Sequence, residues 1–169
     1  MNVLIVDDNH TNRKLLGVTL ESEGHHILHA SNGAEALALL GRHSVDAVIS
    51  DVLMPIMDGY QLCCAVRGFH RLRHVPFIFY SSHYATDEGE SFGKACGANR
   101  YVQKPASTFS ILSALYDVIR EKQETSPVRR ARTIQKIYSR SGPARREEPN
   151  RSHAAVHHRS RRAVRRAVS

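Results

Sequence analysis

The feature that most constrains this chain is an alternation. Short, continuously apolar runs are separated by longer stretches in which apolar residues recur at helical spacing. The runs are Val3-Leu4-Ile5-Val6, His26-Ile27-Leu28, Ala47-Val48-Ile49, Phe77-Ile78-Phe79-Tyr80 and Tyr101-Val102. Unbroken apolarity over about four residues suits strands covered on both faces, as in a parallel sheet. Between the runs, Leu15/Leu16/Leu20, Ala36/Leu37/Leu40, Leu62/Ala65/Val66 and Ile111/Leu115/Val118/Ile119 repeat every three or four positions. A fifth helix is expected near 87–97, where the sequence is polar, contains glycine and signals a helix least strongly. Turn residues divide the elements at Glu23-Gly24, Ser31-Asn32-Gly33, Asp58-Gly59 and Cys96-Gly97-Ala98-Asn99. Five strands alternating with helices predict right-handed β-α units in a doubly wound, five-stranded parallel sheet of α/β class. Chemistry in such sheets collects beyond the carboxyl ends of the strands.

Charge divides the chain in two. Residues 1–124 hold 11 Lys/Arg against 14 Asp/Glu, a net of −3, whereas residues 125–169 hold 13 against 2, a net of +11. In the latter stretch only Val128, Ile134, Ile137, Val156, Val164 and Val168 are Leu, Ile, Val or Phe. So little apolar surface cannot offset the entropy of ordering, and a disordered, Arg-rich tail beginning near Thr125-Ser126-Pro127 is expected. The apolar share of 41% is ample for a core in the body. No apolar run approaches the roughly 18 residues of a membrane span, and Asp7-Asp8 interrupt the amino terminus before a secretory segment could form. A cytoplasmic protein without membrane association is the expectation. Cys63, Cys64 and Cys96 form neither a disulfide framework nor a Cys-x-x-Cys pattern, so buried or half-buried thiols are expected. His25, His26 and His29 read as solvated turn or strand-edge residues rather than metal ligands.

The predicted strand ends carry a polar set: Asp7 and Asp8 after the first run, Asp51 after the third, Ser81 after the fourth and Lys104 after the fifth. If the first and third strands are neighbours, three carboxylates converge and repel one another unless a cation intervenes. Oxygen donors without His or Cys favour a hard ion, Mg²⁺ over Zn²⁺. A metal, an ammonium and a hydroxyl around one carboxylate are the parts that stabilise a phosphoryl group in transfer. Each residue alone also has an ordinary reading. An Asp ending a strand is commonly a helix cap, and Asp7-Asp8 could serve only that purpose. Five such residues at successive strand ends argue for a site.

Over about residues 1–122 the chain resembles the receiver domain of two-component response regulators, in its chemotaxis-regulator-like form. The matching residues are Leu4-Ile5-Val6-Asp7-Asp8, Asp51-Val52-Leu53-Met54-Pro55-Ile56-Met57-Asp58-Gly59, Ser81, and Tyr101-Val102-Gln103-Lys104-Pro105. The resemblance implies a flavodoxin-like strand order 2-1-3-4-5. It implies that Asp51 is the phosphoacceptor, charged by a histidine kinase or phosphotransfer protein, and that the domain signals to a downstream effector. Asp8, Asp51 and the Leu53 carbonyl would ligate Mg²⁺, with Asp7 holding it through water. Lys104 would pair with phosphoryl oxygens and precede a cis peptide at Pro105, while Ser81 and Tyr101 would form the conformational switch. Self-phosphorylation and autodephosphorylation would be its only catalysis. Leu53 and His83 stand where the family varies dephosphorylation, Leu53 restricting attacking water and His83 able to steer it.

Two other functions compete. The tail, with clusters such as Arg129-Arg130-Ala131-Arg132, could bind nucleic acid non-specifically and be the effector of a regulator. It lacks the periodicity of a base-reading domain, and a solvated tail or the product of a truncated or frame-shifted gene are the other readings. A phosphatase-type hydrolase needs its nucleophile in an Asp-x-Asp arrangement, which the adjacent Asp7-Asp8 do not supply.

Overall fold

The computed structural model describes residues 1–82 and 93–125. Strands β1 (Asn2–Val6), β2 (His26–Ala30), β3 (Ala47–Ser50), β4 (Phe77–Ser81) and β5 (Arg100–Gln103) alternate with helices α1 (His10–Ser22), α2 (Gly33–Arg42) and α3 (Gly59–Gly68). Helix α4 (Thr108–Thr125) closes the described chain. Of the helix expected near 87–97, residues 93–95 are helical and 83–92 lie outside the described residues. His83 and the tail from residue 126 lie outside them too, so the expected disorder and nucleic-acid role of that stretch fall there as well.

The sheet order is β2-β1-β3-β4-β5 with every neighbouring pair parallel, as the resemblance implies. Register aligns Leu4 with Leu28 on one side and Val48 on the other. Successive side chains point to opposite faces, which explains why the strand runs are apolar without a break. Leu4, Val6, Val48, Phe77 and Phe79 pack under α2 and α3 with Leu40, Leu62 and Val66. Val3, Ile5, Ala47, Ile49 and Ile78 pack on the other face against Leu16, Leu20, Leu115 and Val118. Phe77 and Phe79 are fully buried, and truncating either to alanine costs about 3–5 kcal/mol by the usual cavity arithmetic.

Capping clears the strand ends for chemistry. Asn9, not Asp7 or Asp8, caps α1, its side chain accepting from Thr11 N and Asn12 N. Asn32 caps α2, while the Glu35 carboxylate accepts from Ser31 N and Oγ, both at 2.7 Å. Asp58 and Gln61 form a reciprocal capping box on α3. The acidic pair is therefore spared the role that would have explained it away.

Candidate functional site

The parallel register brings the ends of β1, β3 and β5 to one edge. Asp7 directly follows β1 and Asp51 directly follows β3, and Asp51 N donates to Val6 O at 2.8 Å. Carboxylate oxygens of Asp7, Asp8 and Asp51 lie within 4.8 Å of one another. Asp7 is buried, Asp51 half-buried and Asp8 exposed, so the cluster opens to solvent on one side.

Lys104 reaches into this cluster from the residue after β5. Its Nζ donates to Asp7 Oδ2 at 2.6 Å and to Asp51 Oδ2 at 2.7 Å. Burial opposes the charged ammonium, but the hydrogen bonds and charges of Asp51 and Asp7 outweigh it and hold the Lys104 pKa above its ordinary value. The Lys104–Pro105 peptide is cis. Three carboxylates and one ammonium leave the cluster with a net of two negative charges, all on oxygen. That donor set fits one hard divalent cation.

The supporting contacts fix the orientation of each carboxylate. Asp7 Oδ1 accepts from Asn9 N at 2.8 Å, and Asp51 Oδ1 from Val52 N at 2.6 Å. Buried Ser50 donates Oγ to the Asp51 carbonyl at 2.7 Å. The Tyr80 ring lies beneath Lys104, its centroid 5.2 Å from Nζ. A Cβ at Gly59 would stand 2.1 Å from the Asp51 carbonyl oxygen, so only glycine lets α3 begin there. Gly33 receives the Met57 side chain in the same manner and donates to the Met57 carbonyl at 3.0 Å, anchoring the loop between β3 and α3. Within that loop Ile56 has φ 70 and an 82% exposed side chain, and Leu53 is 51% exposed.

Ser81 ends β4, is fully buried, and accepts Lys104 N at its own carbonyl, 2.9 Å away. Tyr101 opposes Phe79 across the β4–β5 pair, ring centroids 5.3 Å apart, with its hydroxyl buried. The switch candidates thus sit on adjacent strands, one beside the lysine and one facing the aromatic core. Sequence reasoning singled out Asp7, Asp8, Asp51, Lys104, Ser81 and Tyr101, but gave no role in the site to Ser50, to Tyr80 of the fourth strand run, or to Gly59, which it read as a turn residue ending the matching stretch. His25 is half-buried against Tyr116, whose hydroxyl lies 3.2 Å from His25 Nε2; burial lowers the imidazole pKa. Among the described residues no histidine joins a metal-holding group.

The comparisons agree with this geometry. The model of the response regulator receiver domain matches residues 3–116. The chain belongs to the response regulator receiver family. This receiver is 37% identical over 112 residues to an uncharacterized 14.6 kDa protein of Leptolyngbya boryana, covering 66% of this chain and 85% of that one. It superposes on chemotaxis response regulator CheY4 of Vibrio cholerae with a TM-score of 0.65 at 33% identity, over 69% of this chain and 97% of that one. A 25% identical receiver domain, from sensor histidine kinase PA1611 of Pseudomonas aeruginosa, matches with a TM-score of 0.65 over 70% of this chain and 96% of that one. It was solved with a magnesium ion in its active-site cleft. Other curated relatives are longer: the receiver spans 47% and 30% of two transcriptional regulators it matches. No helix among the described residues is long and apolar enough to cross a membrane.

Proposed function

We propose that Asp51 takes a phosphoryl group from a phosphohistidine of a histidine kinase or phosphotransfer protein, and that the resulting change reaches a downstream effector. The observation that supports this most directly is the pairing of Lys104 Nζ with both Asp51 and Asp7. In the transfer an Asp51 carboxylate oxygen forms the new bond to phosphorus, the P–N bond breaks, and the imidazole leaves with the electron pair. Val52 N and Lys104 hold the carboxylate in a fixed orientation, which supplies positioning before the donor arrives. Lys104 then has a phosphoryl oxygen to pair with in place of the carboxylate oxygen it now holds.

Asp7, Asp8 and Asp51 are the side chains that would hold Mg²⁺, together with the Leu53 carbonyl. When bound, the ion supplies charge neutralisation for the phosphoryl oxygens. Ser81 and Tyr101 act as the switch: the hydroxyl turns toward the phosphoryl group, and the position of the Tyr101 ring against Phe79 reports that movement. Leu53, beside the acceptor, limits access of hydrolytic water. The receiver comprises residues 1–124, with the basic stretch beyond it as a separate unit.

The decisive experiment is incubation of the full chain with acetyl phosphate and Mg²⁺, followed by intact mass. One persistent phosphoryl adduct on Asp51 supports the acceptor reading. Rapid turnover of many phosphomonoesters without an adduct supports a hydrolase and overturns it.

A further inference from the structure

Lys104 has a third contact besides its two carboxylates. Its Nζ donates to Asp7 Oδ2 at 2.6 Å and to Asp51 Oδ2 at 2.7 Å, and it also stands 5.2 Å from the centroid of the Tyr80 ring. That is inside the roughly 6 Å over which an ammonium is drawn to the negative face of an aromatic ring. The Lys104 side chain is only 12% exposed, so little water screens the attraction. Strand pairing fixes the ring where it is. Tyr80 stands opposite Val102 and Ser81 opposite Gln103 in the parallel β4–β5 register, and Lys104 N donates to the Ser81 carbonyl at 2.9 Å. Ring and ammonium are therefore carried by one bonded pair of strands. Phe79 packs under α2 and α3, whereas Tyr80, next along the strand, turns to the opposite face and packs, half-buried, against the core that includes Ile5 and Ile78. Packing alone accounts for an apolar side chain at this position. It does not ask for an aromatic face beneath the ammonium.

We propose that Tyr80 is a positioning residue for phosphoryl transfer, its ring holding the Lys104 ammonium in place while Asp51 releases it. This role rests on Asp51 being the acceptor. As an Asp51 oxygen bonds to phosphorus, the bond from phosphorus to the donor breaks and the leaving group departs with that electron pair. The carboxylate charge of Asp51 is then gone, and Lys104 has lost one of its two anionic partners. A lysine side chain is flexible, and its ammonium is a point charge without the rigid fork of a guanidinium. Asp7 by itself leaves Nζ room to swing away from the incoming phosphoryl group. The pull of the ring needs no particular N–H direction, so it persists while Nζ turns from the carboxylate oxygen to a phosphoryl oxygen. A contact that counts for most once the carboxylate lets go stabilises the transfer more than the resting state, and so raises the rate. The phenolic oxygen of Tyr80 plays no part in this.

The test follows the rate of labelling of the full chain by acetyl phosphate and Mg²⁺, read by intact mass over time. Tyr80→Leu should lower that rate roughly fivefold, the order expected for a desolvated contact between an ammonium and a ring. Tyr80→Phe, which keeps the ring and removes the hydroxyl, should restore it. In a Lys104→Met background there is no ammonium to hold, and adding Tyr80→Leu should change the rate by less than about twofold, whereas a ring that only packs would cost the same in both backgrounds. Tyr80→Met, with a flexible apolar side chain, takes the place of Tyr80→Leu if the latter does not fold. A labelled wild type with Tyr80→Leu and Tyr80→Met equally fast, an equal loss with and without Lys104, or Tyr80→Phe as slow as Tyr80→Leu would overturn this role and leave Asp51 as the acceptor. A wild type that takes no adduct would overturn the acceptor reading, and this inference with it.

Discussion

Two partly buried cations hold this molecule together in opposite ways. Lys104, at the carboxyl edge of the sheet, pairs with two carboxylates, and those charges keep its pKa high. Arg67, near the far end of α3, meets only neutral acceptors in its described hydrogen bonds: the carbonyls of Val75 and Gly97 and the side-chain oxygen of Asn99. Burial lowers its pKa. The helix end around it contributes partial negative charge from its last carbonyls. Asn99 Oδ1 also accepts from Phe77 N at 2.9 Å, so Arg67 joins α3, β4 and the lead into β5 at one point. The difference separates a site from a brace. Partners that are charges can be exchanged for a ligand's charges, whereas a guanidinium fitted to carbonyls has nothing to exchange.

The largest expected effect removes the exchangeable side. Asp51→Asn should abolish phosphoryl labelling by acetyl phosphate altogether, because an amide oxygen is a poor nucleophile. Stability should change by less than about 1 kcal/mol, since Lys104 keeps Asp7 while carboxylate repulsion falls. Labelling of Asp51→Asn at the wild-type rate would place the acceptor elsewhere.

Breaking the brace should show the reverse pattern. Arg67→Met leaves the Val75 and Gly97 carbonyls without the guanidinium donor and Asn99 Oδ1 with Phe77 N alone, and should cost about 3 kcal/mol in urea unfolding. The folded fraction should still label at Asp51. A variant as stable as wild type would mean that water satisfies those oxygens and that the brace is not one.

A smaller effect concerns the metal. Mg²⁺ at roughly ten times its Kd should stabilise the wild type by about 1.4 kcal/mol, read as a rise in melting temperature. Asp8→Ala should lose most of that rise, whereas Arg67→Met should keep it. An undiminished rise in Asp8→Ala would locate the ion outside the three-carboxylate cluster.

The smallest effect sharpens the contrast through pH. The Lys104 pKa is raised in the folded state, so its stabilisation is complete below the ordinary lysine value of 10.5 and is lost as pH rises through the higher folded value. Lys104→Met should flatten this alkaline decline in melting temperature, and Arg67→Met should leave it in place. If Lys104→Met declines as steeply as wild type, other groups govern the alkaline limb.

The strand runs were legible because a parallel sheet covered on both faces demands apolar residues at every position. Val3–Val6 and Phe77–Phe79, divided between the two cores, show that demand directly. The edge strand β5 was less legible. Its span from Arg100 to Gln103 exceeds the apolar pair Tyr101-Val102, because an edge tolerates partial exposure. Among the site residues, those with charge at a strand end announced themselves. Ser50, Tyr80 and Gly59 did not, because what they do depends on a neighbour's carbonyl, ammonium or peptide plane rather than on a pattern of their own. The cysteines were legible only in part: Cys63 and Cys96 are buried as expected and Cys64 is exposed. The Cys63 thiol donates to the Cys96 carbonyl at 3.5 Å, a contact that depends on a turn far along the chain from α3.

The missing Cβ at Gly59 has a mechanical consequence. The Asp51 carbonyl occupies the volume that a side chain at position 59 would need, and Gly59 N donates to the Val52 carbonyl at 2.8 Å. The Asp51 peptide and the first turn of α3 therefore behave as a single rigid joint with no clearance. Any tilt imposed on the Asp51 peptide loads α3 along its length. That load arrives at the other end of the same lever, where Arg67 and the cysteine-bearing turn resist it.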